Sequence, residues 1–256
     1  MGTDFGVSKM HPTPPLTTLE DLPEQLNQTG WAVLDADALC RLTATSPTHF
    51  EGWHALWADL PPDLHLRDGG NYRSRRHGCF VVEQGRCRLV AQRAHWQPVE
   101  YNALHGGIAR QFEPLPESLT ADPTWSRLLL ALADLARQMR GADTWFVEAH
   151  PFRIDASAGI GRPTPEGAHR DGVDLVAVIY LGRSNVKGGE TRVFDAQGTR
   201  GVRFVLHQPW SVLLLDDERV IHESTPIQPV DPQLPSWRDT LVLTLRQGGF
   251  QGPQGE

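Results

Sequence analysis

The stretch HRDGVDLVAVIYLGRSNVKGGETRVFDAQGTRGVRFVL, residues 169–206, decides the fold of the C-terminal half of the chain. Its apolar runs are short, contain several valines, and are separated by turns that contain glycine. Short runs with this punctuation are typical of antiparallel strands joined by tight connections. The stretch therefore predicts one or two strands over residues 169–183 and two more over 188–206, joined at Gln197-Gly198.

Further strands are predicted on both sides of this stretch. Upstream, NYRSRRHGCFVVEQGRCRLVAQ (71–92) predicts two strands around a turn at Glu83-Gln84-Gly85. The other predicted strands are VEAHPFRIDA (147–156), WSVLLLDD (210–217), VIHES (220–224) and DTLVLTLR (239–246). A succession of short strands with Gly and Pro between them predicts an antiparallel double sheet of jelly-roll type.

Helices are predicted in the first 140 residues. The strongest is WSRLLLALADLARQMR (125–140), which has apolar residues at helical spacing, Asp122-Pro123 before it and Gly141 after it. Three shorter helical segments are predicted near Thr18, with Pro23 interrupting that helix, near Asp35, and over residues 53–60.

Together these elements predict a mixed α+β fold that is mainly β. Supporting N-terminal helices and the helix near 125–140 would pack against a jelly-roll core. Residues 1–16 are polar and Pro-rich, which predicts a flexible N-terminal arm. Residues 17–256 are predicted to form a single domain, because no convincing linker interrupts them.

Composition narrows the classes of function. The 256 residues are 39% hydrophobic and 21% charged, with a formal net charge of −7. Such an acidic chain lacks the positive footprint of a nucleic-acid binder, and no polybasic segment suits an anionic membrane. The apolar runs are too short to span a bilayer, and three cysteines give no disulfide framework. We expect a cytoplasmic protein with a small-molecule substrate; its oligomeric state is open, a homo-oligomer included.

Three residues form a candidate metal site. His169 and Asp171 are two apart, so on a strand their side chains would point to the same face. His222 lies on a later predicted strand that a jelly roll can bring beside them. Two histidines and one carboxylate occupy one face of an octahedron, leave three positions open, and indicate non-haem iron(II). The alternative is that His169 is a surface loop residue and Asp171 a turn former before Gly172.

Arg238 and Thr240 form a candidate co-substrate site. If iron is chelated by the keto-acid end of 2-oxoglutarate, its distal carboxylate needs a buried cation at some distance. The planar guanidinium of arginine binds a carboxylate bidentately, and a hydroxyl two residues along the strand can add a hydrogen bond. Arg246 has the same strand parity and is the second candidate. The alternative pairs Arg238 with Asp239 or Asp231 at the rim.

The sequence resembles the 2-oxoglutarate- and Fe(II)-dependent dioxygenases, and in particular the bacterial branch of free L-isoleucine, L-leucine and L-methionine hydroxylases that includes BsmA-like proteins. The motifs that carry this resemblance are YRSRRHG (72–78), VEAHPFRIDA (147–156), PEGAHRDGVD (165–174), LGRSNVKGGET (181–191), LLLDDERVIHESTPI (213–227) and WRDTLVLTLR (237–246). They cover most of the chain from about residue 70 onward.

The resemblance implies a double-stranded β-helix, a cupin-like jelly roll. It also implies Fe(II) on His169, Asp171 and His222, and 2-oxoglutarate on Arg238, with O2 as the second co-substrate. An intact Asp171 favours hydroxylation over halogenation. The implied substrate is a small aliphatic L-amino acid, and sulfoxidation of methionine would use the same oxidant. The rival hypothesis is a non-catalytic jelly-roll protein that binds a metal or a small acid in stress or biofilm signalling.

Other polar residues keep two interpretations each. Glu148 and His150 could form a second metal pair or line a cavity. Arg73 and its neighbours Arg75 and Arg76 could clamp a substrate carboxylate or form a solvated strand face. Two acidic residues are also candidates to orient the metal-binding histidines: one of residues 216–218 for His222, and Asp174 for His169.

Overall fold

The structure, a computed structural model, describes residues 13–253, so most of the arm predicted over residues 1–16 lies outside the described residues. The helices of the described part are α1 (Leu22–Thr29), α2 (Ala36–Leu42), α3 (Pro47–Glu51), α4 (His54–Ala58), α5 (Glu117–Thr120) and α6 (Pro123–Arg140). Its strands are β1 (Trp31–Leu34), β2 (Arg73–Arg75), β3 (Gly78–Glu83), β4 (Arg86–Leu89), β5 (Thr144–Asp155), β6 (Leu175–Ser184), β7 (Val186–Gly188), β8 (Thr191–Asp195), β9 (Gly201–Phe204), β10 (Val212–Asp216), β11 (Val220–Ser224), β12 (Ile227–Pro229) and β13 (Trp237–Arg246).

The largest sheet is antiparallel and runs in the order β1-β10-β6-β13-β5-β3-β4, with β2 also paired to β5. A smaller sheet has the order β11-β8-β9, and β12 pairs with β7. The two larger sheets belong to a jelly roll, as the spacing of short strands predicted. Strand β13 lies between β5 and β6, so the C-terminal end of the domain sits in the centre of the main sheet.

The main sheet is covered on both faces. Alternate residues of β6 belong to two different cores: Ala177 and Ile179 pack with the helices, whereas Val176 and Tyr180 pack toward the smaller sheet. A strand buried on both faces becomes a continuous apolar run, which explains the sequence LVAVIYL. Strand β13 differs, because its cavity-facing side carries polar residues while Leu241 and the other leucines fill the helical core.

Helix α6 confirms the strongest helix prediction. The Asp122 side chain accepts a hydrogen bond from the Thr124 N–H and caps the N-terminus. At the other end Gly141 has φ of 78°, a left-handed conformation that favours glycine, and its N–H donates to the Arg137 carbonyl. The apolar face of α6 packs on the outer side of the main sheet, which leaves the inner side for the site.

Two local predictions need correction. Pro23 does not interrupt α1 but lies in its first turn, where a missing N–H costs nothing. Strands β1, β7 and β12 were not predicted, because each has only three or four residues, too few to show a clear alternation. Strands β7 and β12 pair with each other. Within the described residues, no helix has the length and apolar character needed to cross a membrane.

Candidate metal centre

The structure brings His169, Asp171 and His222 together. However, His169 and Asp171 do not lie on one strand. His222 lies on β11, and a single antiparallel bridge joins it to His169. The backbone N–H of each residue donates to the carbonyl of the other, at 3.0 and 2.9 Å. Asp171 lies in the irregular segment between His169 and β6. The expectation that one strand aims both side chains was therefore wrong, although the two side chains do converge.

Asp217, the first residue after β10, holds the segment that carries Asp171. Its carboxylate accepts hydrogen bonds from the backbone N–H groups of Asp171, Gly172 and Val173, at distances from 2.7 to 3.1 Å. Gly172 has φ of 76° and lies against the Tyr101 ring, so a side chain would be excluded there. One residue of the acidic turn after β10 was predicted to orient His222. In the structure, Asp217 of this turn instead positions Asp171.

The donor atoms of the three residues converge without bonding to one another. The Asp171 carboxylate lies 3.9 Å from His169 Nε2 and 3.7 Å from His222 Nε2, and all three ligand atoms lie within 4.8 Å of one another. These separations are too long for hydrogen bonds. His169 Nδ1 lies 2.9 Å from the Gly167 carbonyl, which fixes that nitrogen as the N–H and leaves the Nε2 lone pair for a metal.

Charge in the site fits a divalent cation. Burial lowers the pKa of His222, with His169 adding to the effect, so its imidazole is neutral, as ligation requires. Burial would also lower the pKa of His169, but the carboxylates of Asp171 and Glu166 outweigh it and raise that pKa. Burial raises the pKa of Asp171, and burial together with Asp171 raises the pKa of Asp217 to about 7. A bound cation would offset this concentration of negative charge.

Arg238 and Thr240 face the same cavity as the three candidate ligands. Arg238 is only 4% exposed, and its guanidinium makes no hydrogen bond or ion pair to any described residue. The alternative pairing is absent, because the Asp239 carboxylate binds Arg153 at 2.6 and 2.8 Å. Burial lowers the pKa of Arg238 to about 10, so it remains a cation at neutral pH. Arg246 also lines the cavity, but its Nη1 donates to the Gly249 carbonyl.

The cavity has an empty volume of about 1060 Å³, its open mouth included. Beside the β13 residues, the cavity is also lined by His95, Glu148 and His150, and His77 lies buried against them. The ligand atoms of these four residues, His77, His95, Glu148 and His150, also lie within 4.8 Å of one another. We call them the His-Glu cluster. Glu148 Oε2 lies 2.6 Å from His95 Nδ1 and 3.0 Å from His77 Nε2. Burial alone would raise the pKa of Glu148, but these two histidines lower it overall.

Several residues of the site were not predicted. Gln97 donates from Nε2 to Asp171 Oδ1 at 3.1 Å, and its Oε1 accepts from Arg110 at 2.9 Å. Glu166 lies 3.5 Å from His169 Nε2. Asp174, which had been expected to orient His169, instead accepts from Gln247. Gln97 and Arg110 lie in the long segment between β4 and α5, where no periodicity points to a function.

Comparison with known proteins identifies the family. The sequence model of the 2OG-Fe dioxygenase family matches residues 54–244, so the chain belongs to this family of oxidoreductases. The chain is therefore a dioxygenase whose cofactors are Fe(II), 2-oxoglutarate and O2, and a non-catalytic binding role is not favoured. A search of curated proteins gave no match.

Solved structures agree in fold. A bsmA homolog from Methylobium petroleophilum PM1 is 54% identical, with a TM-score of 0.89 over 95% of this chain and 99% of that one. IDO from Bacillus thuringiensis is 16% identical, with a TM-score of 0.73 over 92% and 100%. The Fe(II)/(alpha)ketoglutarate-dependent dioxygenase TqaL is 18% identical, with a TM-score of 0.65 over 91% and 89%. The last two support the jelly-roll fold alone.

Asp217 gives the first testable prediction. In Asp217→Asn the amide can no longer accept all three backbone N–H groups, so the Asp171 carboxylate should lose its fixed position. We expect the affinity for Mn(II), measured by calorimetry, to fall by about 10- to 100-fold. The matched control is Asp216→Asn, because Asp216 is the next residue but pairs with Arg140. Equal metal affinities in the two variants would contradict the role of Asp217.

Proposed function

We propose that this chain uses His169, Asp171 and His222 to hold Fe(II), and Arg238 with Thr240 to hold 2-oxoglutarate, and that it hydroxylates or sulfoxidises a free aliphatic L-amino acid. The observation that carries the proposal is that three converging ligand atoms share one cavity with a buried arginine whose guanidinium makes no hydrogen bond or ion pair to any described residue. The resemblance to the amino-acid hydroxylase branch supports the substrate class. The three free cysteines fit a cytoplasmic location.

The His-Glu cluster is the weaker candidate for the iron. Arg75 Nη2 lies 2.6 Å from His150 Nδ1, so a guanidinium already stands against one of its four members. The Glu148 oxygen that would bind a metal accepts from two histidines. A divalent cation there would have to displace these bonds and lie close to a buried positive charge. Two histidines and one carboxylate, as in the set around Asp171, would leave room on an iron ion for a co-substrate and O2.

Neighbouring residues fix the orientation of the proposed metal ligands. The hydrogen bond between His169 Nδ1 and the Gly167 carbonyl directs the Nε2 lone pair into the cavity, and Gln97 fixes one carboxylate oxygen of Asp171. Val178 and Val242 line the cavity as apolar wall and limit the access of water to the reacting atoms. Iron(II) and 2-oxoglutarate, when bound, supply the chemistry that transfers one oxygen atom of O2 to the substrate.

Arg238 provides charge at a distance from the metal. It lies near the start of β13, opposite Ile154 of β5 and Arg183 of β6, and its Cζ is 5.8 Å from the centre of the Tyr180 ring. Two positions along the strand, the Thr240 hydroxyl also has no hydrogen-bond partner among the described residues. A guanidinium and a hydroxyl on one face can together bind the distal carboxylate of 2-oxoglutarate.

Turnover of a mixture of amino acids tests the proposal. We expect the protein with Fe(II), 2-oxoglutarate and the twenty common L-amino acids to form succinate and one product heavier by a single oxygen atom. Asp171→Asn should lose at least about 100-fold of this activity, because a neutral amide is a poor ligand for Fe(II). Asp134→Asn, an exposed change on α6, is the control. Full activity in Asp171→Asn would refute the site.

The two arginines of β13 can be compared directly. Arg238→Ala should raise the 2-oxoglutarate concentration needed for half-maximal succinate formation by about 10- to 100-fold, the effect of losing a charge-assisted hydrogen bond. Arg246 lies on the same face of the same strand. Arg246→Ala should change the 2-oxoglutarate concentration needed for half-maximal succinate formation by less than about threefold. The reverse order of effects would move the anchor from Arg238 to Arg246.

A further inference from the structure

Arg75 is a buried cation two strands away from the proposed oxoglutarate anchor, on the same face of the main sheet. It lies at the end of β2, is 3% exposed and lines the cavity. Its guanidinium carbon lies 3.9 Å from the centre of the Phe112 ring and 4.4 Å from that of Phe152. Two aromatic faces hold the guanidinium plane and disperse part of its charge. The side chain is therefore fixed before any ligand arrives.

The positive charge of Arg75 has no carboxylate partner in residues 13–253. Its single hydrogen bond is from Nη2 to His150 Nδ1 at 2.6 Å, and its Nε is buried without a partner. The two nearby carboxylates are already engaged. Asp63 pairs with Arg73 at 2.7 Å, and Glu148 accepts from two histidines. A buried guanidinium left in this state is costly unless a ligand completes it.

A second buried arginine, Arg110, lines the same cavity as Arg75. We call the part of the cavity lined by these two residues the arginine wall. Arg110 is 2% exposed, lines the cavity, and also has a buried Nε without a hydrogen bond. Its Nη2 donates to Gln97 Oε1, and Gln97 donates to Asp171 Oδ1. This chain of hydrogen bonds places the arginine wall beside the proposed metal site. A molecule bound on the wall would therefore lie within reach of the reacting atoms.

Arg75 lies apart from Arg238 and Thr240, the residues proposed to bind 2-oxoglutarate. Arg75 pairs with Phe152 of β5, and Phe152 pairs with Thr240 of β13. The backbones of β2 and β13 are thus two strand spacings apart, about 10 Å. One dicarboxylate cannot chelate the metal and bind both arginines through its single distal carboxylate. Arg75 is therefore available for a second anion, the substrate.

We propose that Arg75 binds the free carboxylate of the substrate and so selects for it, an inference that rests on the proposed function. Nη1 makes no hydrogen bond to any described residue, so it supplies charge-assisted donors that a carboxylate can accept. His150 holds Nη2, and the two phenyl rings restrict the guanidinium to one plane. A neutral substrate, such as an amide or an ester, could accept a hydrogen bond through its carbonyl oxygen but would leave the buried positive charge without a negative partner. Arg75 is thus a specificity-determining residue.

Binding of matched ligands tests this assignment without turnover. Mn(II) replaces Fe(II), 2-oxoglutarate is present, and each of the twenty L-amino acids is titrated by calorimetry. The tightest ligand is then compared with its uncharged amide. In the unaltered protein the amide should bind about 10- to 100-fold more weakly, which corresponds to one charge-assisted hydrogen-bonded pair. In Arg75→Gln this difference between acid and amide should shrink to less than about threefold.

Two further variants make the result specific. Arg75→Lys keeps the charge but not the planar donors, so the preference for the acid should be intermediate. Arg76→Gln is the matched control, since Arg76 is the next residue but pairs with Glu113 at the surface, and it should keep the full preference. The 2-oxoglutarate affinity of each variant reports whether its fold is intact; if Arg75→Gln fails this check, Arg75→Lys provides the comparison.

Three results would overturn the assignment: no amino acid binds, the amide binds as well as the acid, or the preference for the acid survives in Arg75→Gln. Failure of the proposed function is seen separately. The unaltered protein with Fe(II), O2 and ascorbate as reductant, but no added substrate, should slowly convert 2-oxoglutarate to succinate and CO2, a reaction that does not need a substrate carboxylate. If that conversion is absent, the proposed function fails; if it is present while acid and amide bind equally, only the role of Arg75 fails.

Discussion

The backbone bridge between His169 and His222 is the constraint on which the site depends. Its two hydrogen bonds join the segment that precedes β6, a central strand of the main sheet, to β11 of the smaller sheet. Each sheet alone carries only part of a ligand set. Because the bridge fixes the two backbones side by side, both imidazoles point into the space between the sheets, with ring centres 4.6 Å apart. The jelly roll thus builds the site by closing its two sheets at this point.

Buried charge is the second organising feature. The cavity has three charged regions: the Asp171 carboxylate, which Asp217 positions from behind, and two buried arginines, Arg238 on β13 and Arg75 on β2. Side chains of this kind are rarely buried unless they are paired or bind a ligand. A cation, a dicarboxylate and a carboxylate-bearing substrate would satisfy the three regions together. The fold tolerates their unpaired state because the apolar cores on both faces of β6 supply its stability.

Sequence reasoning succeeded where the pattern is local. The strands over 144–155, 191–195 and 237–246 and the helix over 123–140 follow from periodicity, turn formers and caps that lie within each segment. Arg238 and Thr240 were predicted to share one face because a strand places alternate residues on the same side, and both line the cavity. The bridge between His169 and His222 could not be derived in this way. The conformation of Asp171 depends on Asp217, which is 46 residues away, and no local pattern encodes that contact.

The part of the cavity that contains Arg75, Gln97 and Arg110 could not be predicted from the sequence for a similar reason. Arg75 was noted as one of several basic residues with two interpretations, and only its pairing with β5 shows that it is buried. Gln97 and Arg110 belong to a segment without regular structure, whose path is set by contacts rather than by periodicity.

The most direct test of the account is to locate the metal by anomalous X-ray scattering. Crystals grown without oxygen in the presence of Fe(II) and 2-oxoglutarate should show one iron peak, between His169 Nε2, His222 Nε2 and the Asp171 carboxylate. The distal carboxylate of 2-oxoglutarate should then lie against Arg238. An iron peak within the His-Glu cluster, with none beside Asp171, would contradict the account.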